Sequence, residues 1–164
     1  MYYDINHKFL LEEEIYNLSK NSQFDKTKLY KQHGKTSVYE HSINVAYTSL
    51  LIAEKMSIKT DFRSLVRGAL LHDYFLYDWH VPEKTHMLHG FTHPRKALEN
   101  ALAEVDLNNR EKDIILKHMF PLTPVPPRYA ESWIVTAADK ICSVMETLNF
   151  KQTIKKDSAA GDKT

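Results

Sequence analysis

Glycine and cysteine are scarce in this sequence, with four glycines and one cysteine among 164 residues. Four of the six prolines lie within residues 121–127. Few glycines and clustered prolines favour long helices over a chain of many tight turns. The one cysteine, Cys142, cannot form an internal disulfide, which is typical of proteins from the reducing cytosol.

The sequence also lacks a charge excess and a long hydrophobic run. Its formal net charge is +1, so it has no basic excess of the kind that nucleic-acid binding requires. No apolar run approaches the roughly 18 residues of a membrane span, and residues 1–11 resemble neither a signal peptide nor a transit sequence. We therefore expect a cytoplasmic protein without a membrane partner, and a homodimer is one assembly that the sequence permits.

Apolar residues recur with helical spacing in several stretches, and no segment shows sustained alternation with period two. An all-α fold is therefore expected. Helices are predicted at about residues 4–19, 37–53, 61–75, 92–105, 109–119 and 129–148, the last of them central and buried because apolar residues surround most of it. Candidate N-caps are Ser37, with Glu40 three residues later, and Asn108 or Asn109. Pro94 is typical of a first helical turn, which predicts a helix start at residue 92 or 93. Residues 1–150 are predicted to form a single domain, with 1–34 a helical extension and 35–150 the core, followed by a flexible tail at 151–164.

Asp139 lies in the most apolar of these helices, within the stretch VTAADK. A buried carboxylate is too costly to remain unpaired, so it must be protonated, ion-paired or bound to a metal. Taken alone, Asp139 is best explained by a salt bridge to a lysine or arginine.

His41 and the pair His72-Asp73 also lie on faces otherwise made of apolar residues. A lone histidine on such a face is more often a hydrogen-bonded core residue than a ligand. Three helices are thus each expected to place a residue of a metal-binding type on the core side. This coincidence indicates a single ion bound by all three helices. Two imidazoles and two carboxylates suit a divalent transition metal such as iron, manganese, nickel or zinc.

The order and context of these residues resemble the HD superfamily of metal-dependent phosphohydrolases, as a small, single-domain, bacterial-type member. His41 lies in VYEHSINVA, His72 and Asp73 end RGALLHD, and Asp139 lies in AADK. The resemblance implies an all-α HD-domain bundle in which His41, His72, Asp73 and Asp139 bind the metal.

Some branches of that superfamily hold a second metal with two further histidines. Here His93, which opens HPRKA, and His118, which ends IILKH, are candidates for those positions. His89 is a rival of His93. The cofactor implied by the resemblance is therefore one or two divalent transition-metal ions.

The resemblance also implies an activity: a phosphomonoesterase or phosphodiesterase that hydrolyses a phosphate ester, with a nucleotide or dinucleotide as the expected substrate. Asp73 and His72 are the expected catalytic residues. Four cations are candidates for binding substrate phosphate: Arg67, Lys117, Arg128 and Lys140. Three aromatic residues of the neighbouring loops are candidates for stacking on a base: Tyr77, Trp79 and Phe91.

One departure from the superfamily leaves the function open. Many members carry a lysine shortly after His-Asp, whereas this chain continues YFLYDWH, where Asp78 is a candidate replacement. Two alternatives therefore stay beside the hydrolase. One is a metal-binding HD domain that acts as a sensor or interaction module without catalysis, and the other is an oxygenase that uses two irons.

Overall fold

A computed structural model describes residues 5–33, 36–77 and 89–148 of the chain. The described elements, in chain order, are α1 (Ile5–Asn21), a 3-10 helix (Phe24–Leu29), β1 (Lys31–His33), β2 (Thr36–Ser37), α2 (Val38–Lys55), α3 (Phe62–Leu71), α4 (His89–Glu104), α5 (Asn109–Lys117) and α6 (Ala130–Thr147). The all-α prediction is confirmed, with one small antiparallel pair of strands added to the helices. None of the described helices has the length and apolar character needed to span a membrane.

Local capping interactions set where three of these helices begin. Ser37 and Asn108 each form a capping box, with Glu40 and Glu111 respectively, at the starts of α2 and α5. The Asp61 side chain accepts a hydrogen bond from the Ser64 amide at the start of α3. The predicted capping residue of α2 and the predicted start of α5 are therefore confirmed, and α3 begins one residue after its predicted start.

The hydrophobic core lies where α2, α3, α5 and α6 pack on one another. Its fully buried members come from all four helices: Val45, Leu50, Leu65, Leu70, Ile114, Ile115 and Val135. α1 packs on α3, where Glu14 is buried and forms an ion pair with Arg63. This four-helix core holds the ends of α3 and α5 beside the first turn of α2 and the middle of α6.

Two sequence-based expectations about helices are wrong. α4 begins at His89 rather than at residue 92 or 93, so Pro94 lies inside the helix instead of in its first turn. α6 is not surrounded by the core: Trp133, Ile141 and Val144 are 48%, 45% and 59% exposed. Apolar composition around a helix indicates burial only on average, and here one apolar face of α6 is exposed to solvent.

A short hairpin was also not expected. Lys31 pairs with Ser37 and His33 with Thr36, in antiparallel register. β2 leads directly into α2. β2 has only two residues, which are too few to show an alternating pattern in the sequence. Its pairing with β1 nevertheless places Gln32 against the core.

Candidate metal centre

α3 and α5 end in the same way, with a histidine as the C-cap. In His72, Nδ1 lies 2.7 Å from the Ala69 carbonyl oxygen, and in His118, Nδ1 lies 2.8 Å from the Ile115 carbonyl oxygen. A carbonyl oxygen only accepts, so each Nδ1 carries the proton and donates. In the neutral ring, each Nε2 then presents a lone pair away from its own helix.

These two helix ends come together because α3 and α5 approach closely at Gly68. A Cβ built at Gly68 would lie 2.4 Å from Ile114 Cδ1 and 3.0 Å from Ile114 Cβ. Only glycine permits this approach without displacing the neighbouring helix. The close crossing brings His72 and His118 together, with 4.9 Å between their ring centroids.

α2 and α6 supply His41 and the carboxylates around it. His41 Nδ1 lies 2.8 Å from Glu146 Oε2, and Asn44 Nδ2 donates to Glu146 Oε1 at 3.0 Å. On the other side of the ring, His41 Nε2 lies 3.2 Å from Asp139 Oδ1. Glu146 therefore fixes the orientation of the His41 ring so that Nε2 faces Asp139.

The first cluster comprises His41, His72, Asp73 and Asp139. Asp73 Oδ2 lies 3.7 Å from His41 Nε2 and 3.3 Å from His72 Nε2. Asp139 Oδ1 lies 3.8 Å from His72 Nε2, while the Lys140 ammonium is 4.0 Å from the other Asp139 oxygen. The close partners of Asp139 are thus two imidazoles and the Ser143 hydroxyl, which donates to Oδ1 at 3.2 Å, and a simple lysine salt bridge does not account for its burial.

The second cluster comprises Asp73, His93 and His118. Asp73 Oδ1 lies 3.1 Å from His93 Nε2 and 3.4 Å from His118 Nε2, and the two imidazole nitrogens are 2.8 Å apart. The two oxygens of one carboxylate therefore face different clusters. Asp73 could therefore contribute one oxygen atom to each cluster.

Two observations test whether these clusters could hold metal ions. All the residues of both clusters are buried, yet His72 Nε2 and Asp73 Oδ1 have no hydrogen-bond partner among the described residues. In each cluster, three residues offer ligand atoms within 4.8 Å of one another. Buried polar atoms without partners require a cause, and mixed nitrogen and oxygen donors fit a divalent transition metal.

Charges within the clusters compensate one another. Burial would raise the pKa of Asp73, but His72, His93 and His118 hold it well below its ordinary value. Burial would also raise the pKa of Asp139, but the adjacent imidazoles of His41 and His72 outweigh it and hold that pKa well below the usual range. Both carboxylates are therefore anionic at neutral pH, as metal ligands must be.

The histidines respond to the same charges. Burial opposes protonation of His41, but hydrogen bonds with Asp139 and Glu146 raise its pKa to about 9. Burial likewise opposes protonation of His72, and Asp73 and Asp139 raise its pKa well above the ordinary value. Burial lowers the pKa of His118, and the adjacent His72 and His93 add to that effect. Without an ion, protons on imidazoles balance the carboxylates, and an ion that binds must displace those protons.

A comparison with models of protein families identifies the family to which the chain belongs. The model of the HD domain family matches residues 38–143, more than half of the chain. The chain belongs to the HD domain family. Searches of curated proteins and of solved structures gave no match. The predicted resemblance is confirmed, and membership indicates metal-dependent hydrolase activity.

A cavity of about 710 Å³ opens onto both clusters of this HD domain. Its lining includes Asp73, His93, His118 and Asp139, together with seven further residues: Gln32, Gly90, Met119, Pro121, Leu122, Lys140 and Ser143. A cavity of this size lies within the range of small-molecule sites.

The predicted phosphate-binding residues lie in different places. Lys140 lines the cavity. Arg67 instead lies 3.6 Å from Glu14 and 3.7 Å from Glu111, two carboxylates that are buried near it. Lys117 and Arg128 line a separate surface depression, where Lys117 is ion-paired with Asp113 at 2.6 Å. The structure therefore brings only Lys140 of these four cations to the clusters.

The remaining candidates from the sequence are His89, Asp78 and three aromatic residues. His89 is the first residue of α4, and its side chain is outside what the structure describes. Asp78 and Trp79 also fall outside the described residues. The Tyr77 ring packs on Phe75 at 5.2 Å between centroids, and Phe91 is 51% exposed on α4. The base-stacking role of the aromatic residues stays a prediction.

Gln32 and Glu146 belong to the site but were not foreseen. Glu146 is seven residues after Asp139 in α6, two turns along the same face, so the spacing could have revealed it. Gln32 donates to Asp73 across 41 residues of sequence, from a segment without periodicity. No local pattern could have revealed Gln32.

Proposed function

We propose that this HD domain is a metal-dependent phosphohydrolase that uses two divalent ions and acts on a phosphate ester, with a nucleotide or dinucleotide as substrate. One observation carries the proposal: the two oxygens of Asp73 face two separate clusters of buried imidazoles. A bridging carboxylate suits a pair of ions that act together on one phosphoryl group. Family membership supports the same reaction class.

In this proposal His41, His72, Asp73 and Asp139 hold the first ion, and Asp73, His93 and His118 hold the second. Divalent ions of this kind lower the pKa of water and neutralise negative charge on phosphoryl oxygens. The ligand set fits iron, manganese, nickel or zinc. Glu146 and the Ala69 and Ile115 carbonyls keep three of the imidazoles in the tautomer that presents Nε2 to the ions.

The chain's own residues also shape substrate binding. The Lys140 ammonium donates to the His118 carbonyl oxygen at 3.1 Å, and its side chain is 45% exposed at the cavity. It can therefore meet a phosphate oxygen beside the second cluster. The cavity wall formed by Met119, Pro121 and Leu122 offers apolar surface to the organic part of the ester.

The decisive experiment compares Asp73→Ala with Asp106→Ala. Asp106 is an exposed aspartate between α4 and α5, so its replacement is a matched control. We expect about two equivalents of metal in the wild type and the control, and less than one in Asp73→Ala, because both ions lose a shared ligand. Turnover is measured with added Mn²⁺ on para-nitrophenyl phosphate, its bis ester, nucleoside monophosphates and a dinucleotide.

Turnover of any of these substrates by the wild type and the control, but not by Asp73→Ala, supports the proposal. Bound metal without turnover of any of them would favour the sensor alternative. Oxygen uptake by an iron-loaded protein would favour the oxygenase. Unchanged metal content in Asp73→Ala would show that Asp73 does not bind metal and that the proposed metal site is wrong.

A further inference from the structure

Gln32 reaches the metal centre from the hairpin that precedes α2. It lies in β1 between Lys31 and His33, the two residues whose backbones pair with β2. Lys31 is exposed, whereas the Gln32 side chain is turned inward and only 7% of the residue is exposed. The alternation of the strand therefore commits Gln32 to the interior, beside Asp73.

One end of the Gln32 amide is held by Asp73. Gln32 Nε2 lies 2.5 Å from Asp73 Oδ2, the oxygen that faces His41 and His72. A carboxylate oxygen only accepts hydrogen bonds, so the NH₂ group must face Asp73 and the carbonyl oxygen must face away. The contact thus fixes the orientation of both groups.

The other end of the amide is buried and has no partner. Gln32 Oε1 is inaccessible to solvent and forms no hydrogen bond within the described part of the chain. It shares this condition with His72 Nε2 and Asp73 Oδ1, both of which belong to the clusters. Gln32 also lines the cavity with Asp73, Asp139 and Lys140. Unpaired buried acceptors are rare in folded proteins, which points to a donor that the described residues do not supply.

We propose that Gln32 is a positioning residue of the metal centre: Nε2 holds the Asp73 carboxylate between the two clusters, and Oε1 accepts a hydrogen bond from an O–H group in the cavity. An amide oxygen cannot bind the ionised oxygens of a phosphate, because both are acceptors. The O–H group is therefore that of the attacking water or of a hydroxyl on the substrate. The hydrogen bond from an O–H group to Oε1 rests on the proposed hydrolase function, whereas the contact of Nε2 with Asp73 does not.

The variant Gln32→Met tests both contacts, since methionine has a similar length but cannot donate to a carboxylate. Gln23→Met is the matched control, because Gln23 also donates from Nε2 to a carboxylate, Glu104, at 2.5 Å and lies outside the cavity lining. We expect Gln32→Met to bind Mn²⁺ about 10- to 100-fold more weakly than wild type, as outer-shell partners of ligands do, and the control to bind normally. Competition with a chelating dye measures this affinity without turnover.

Kinetics then identify the O–H donor. If the donor is water, kcat falls for every substrate, including para-nitrophenyl phosphate, which has no hydroxyl on its organic group. If the donor is a substrate hydroxyl, KM rises for a nucleotide and stays unchanged for para-nitrophenyl phosphate. Mn²⁺ affinity and kinetic constants within about twofold of wild type in a folded Gln32→Met would overturn the proposal.

A second measurement needs no variant. In ¹⁵N spectra of the wild type, the side-chain amide resonance of Gln32 should shift when Zn²⁺ is added, while that of Gln23 should not. An unshifted Gln32 resonance in a protein that has bound Zn²⁺ would overturn the proposed contact with Asp73. If the wild type binds metal but hydrolyses nothing, the hydrolase proposal fails, and the dye competition and the Gln32 resonance still decide whether Gln32 positions Asp73.

Discussion

Gly68→Ala tests whether the close crossing of α3 and α5 builds the metal centre. The added methyl group would lie 3.0 Å from both Cβ and Cγ2 of Ile114, and 2.4 Å from Cδ1. The Cδ1 atom can rotate away, but Cβ and Cγ2 stay close to the backbone of α5. Ile114 is fully buried, so α5 itself must shift to accept the methyl group.

Two effects of opposite sign determine the change in stability. Alanine is favoured over glycine inside a helix by up to about 1 kcal/mol. Forcing a methyl group into a packed core costs about 1–3 kcal/mol. Because Cβ of Ile114 cannot move away by side-chain rotation, we expect the cost to exceed the gain, with a net loss of about 1–2 kcal/mol. For a chain of this length, that lowers Tm by about 2–8 °C.

Gly90→Ala is the matched control for the same substitution. Its methyl group would meet only the ends of flexible side chains, Leu122 Cδ2 at 3.0 Å and Met119 Cε at 3.8 Å. We expect its stability to be unchanged or to rise by up to about 1 kcal/mol. Thermal unfolding of the metal-free proteins gives the comparison, and Mn²⁺ titration should show weaker binding in Gly68→Ala because α5 carries His118. A Gly68→Ala protein at least as stable as Gly90→Ala would refute this reasoning.

Three further predictions concern single side chains. Replacing Glu146 with alanine should weaken Mn²⁺ binding about 10- to 100-fold, because His41 loses the carboxylate that orients its ring; equal affinity in a dye competition would contradict this role. Burial opposes the charge of Asp113, but hydrogen bonding with Lys117 and other partners holds its pKa below the ordinary value of 3.8. The lowered pKa of Asp113 stabilises the folded protein at pH values above 3.8, and this stabilisation is lost as the pH falls through the pKa of Asp113 in the folded protein. The difference in unfolding free energy between wild type and Asp113→Asn should therefore become smaller in acid. Urea unfolding at a series of pH values measures this difference in free energy. A difference that grows as the pH falls would contradict the lowered pKa of Asp113. Finally, Lys140→Ala should raise KM for para-nitrophenyl phosphate more than it lowers kcat, and it should leave metal content unchanged; loss of metal would show that Lys140 acts on the ligands instead.

The parts of the fold that depend on local sequence were predictable. Capping boxes at Ser37 and Asn108 place the starts of two helices, because both partners of each box lie within three residues. Likewise, His72 and His118 end apolar helical stretches, and each bonds to a carbonyl three residues earlier. Helical spacing therefore pointed to His41, His72, Asp73 and Asp139, whereas His93 and His118 were implied by the resemblance to the HD superfamily.

Features that depend on distant contacts were not predictable. Pro94 suggested a helix start, but α4 begins five residues earlier than the proline, since a single proline near a helix start removes only one backbone hydrogen bond. The contact of Gln32 with Asp73 depends on a hairpin that is too short to leave a pattern. The cavity lining, too, could not be read from spacing: Arg67 and Lys117 have carboxylate partners elsewhere, which the sequence does not indicate.

Anomalous diffraction from crystals loaded with Mn²⁺ would test the two-ion centre most directly. We expect two peaks, one among His41, His72, Asp73 and Asp139 and the other among Asp73, His93 and His118, with the Asp73 carboxylate between them. A single peak, or a peak away from Asp73, would contradict the bridging role on which the proposed hydrolysis depends.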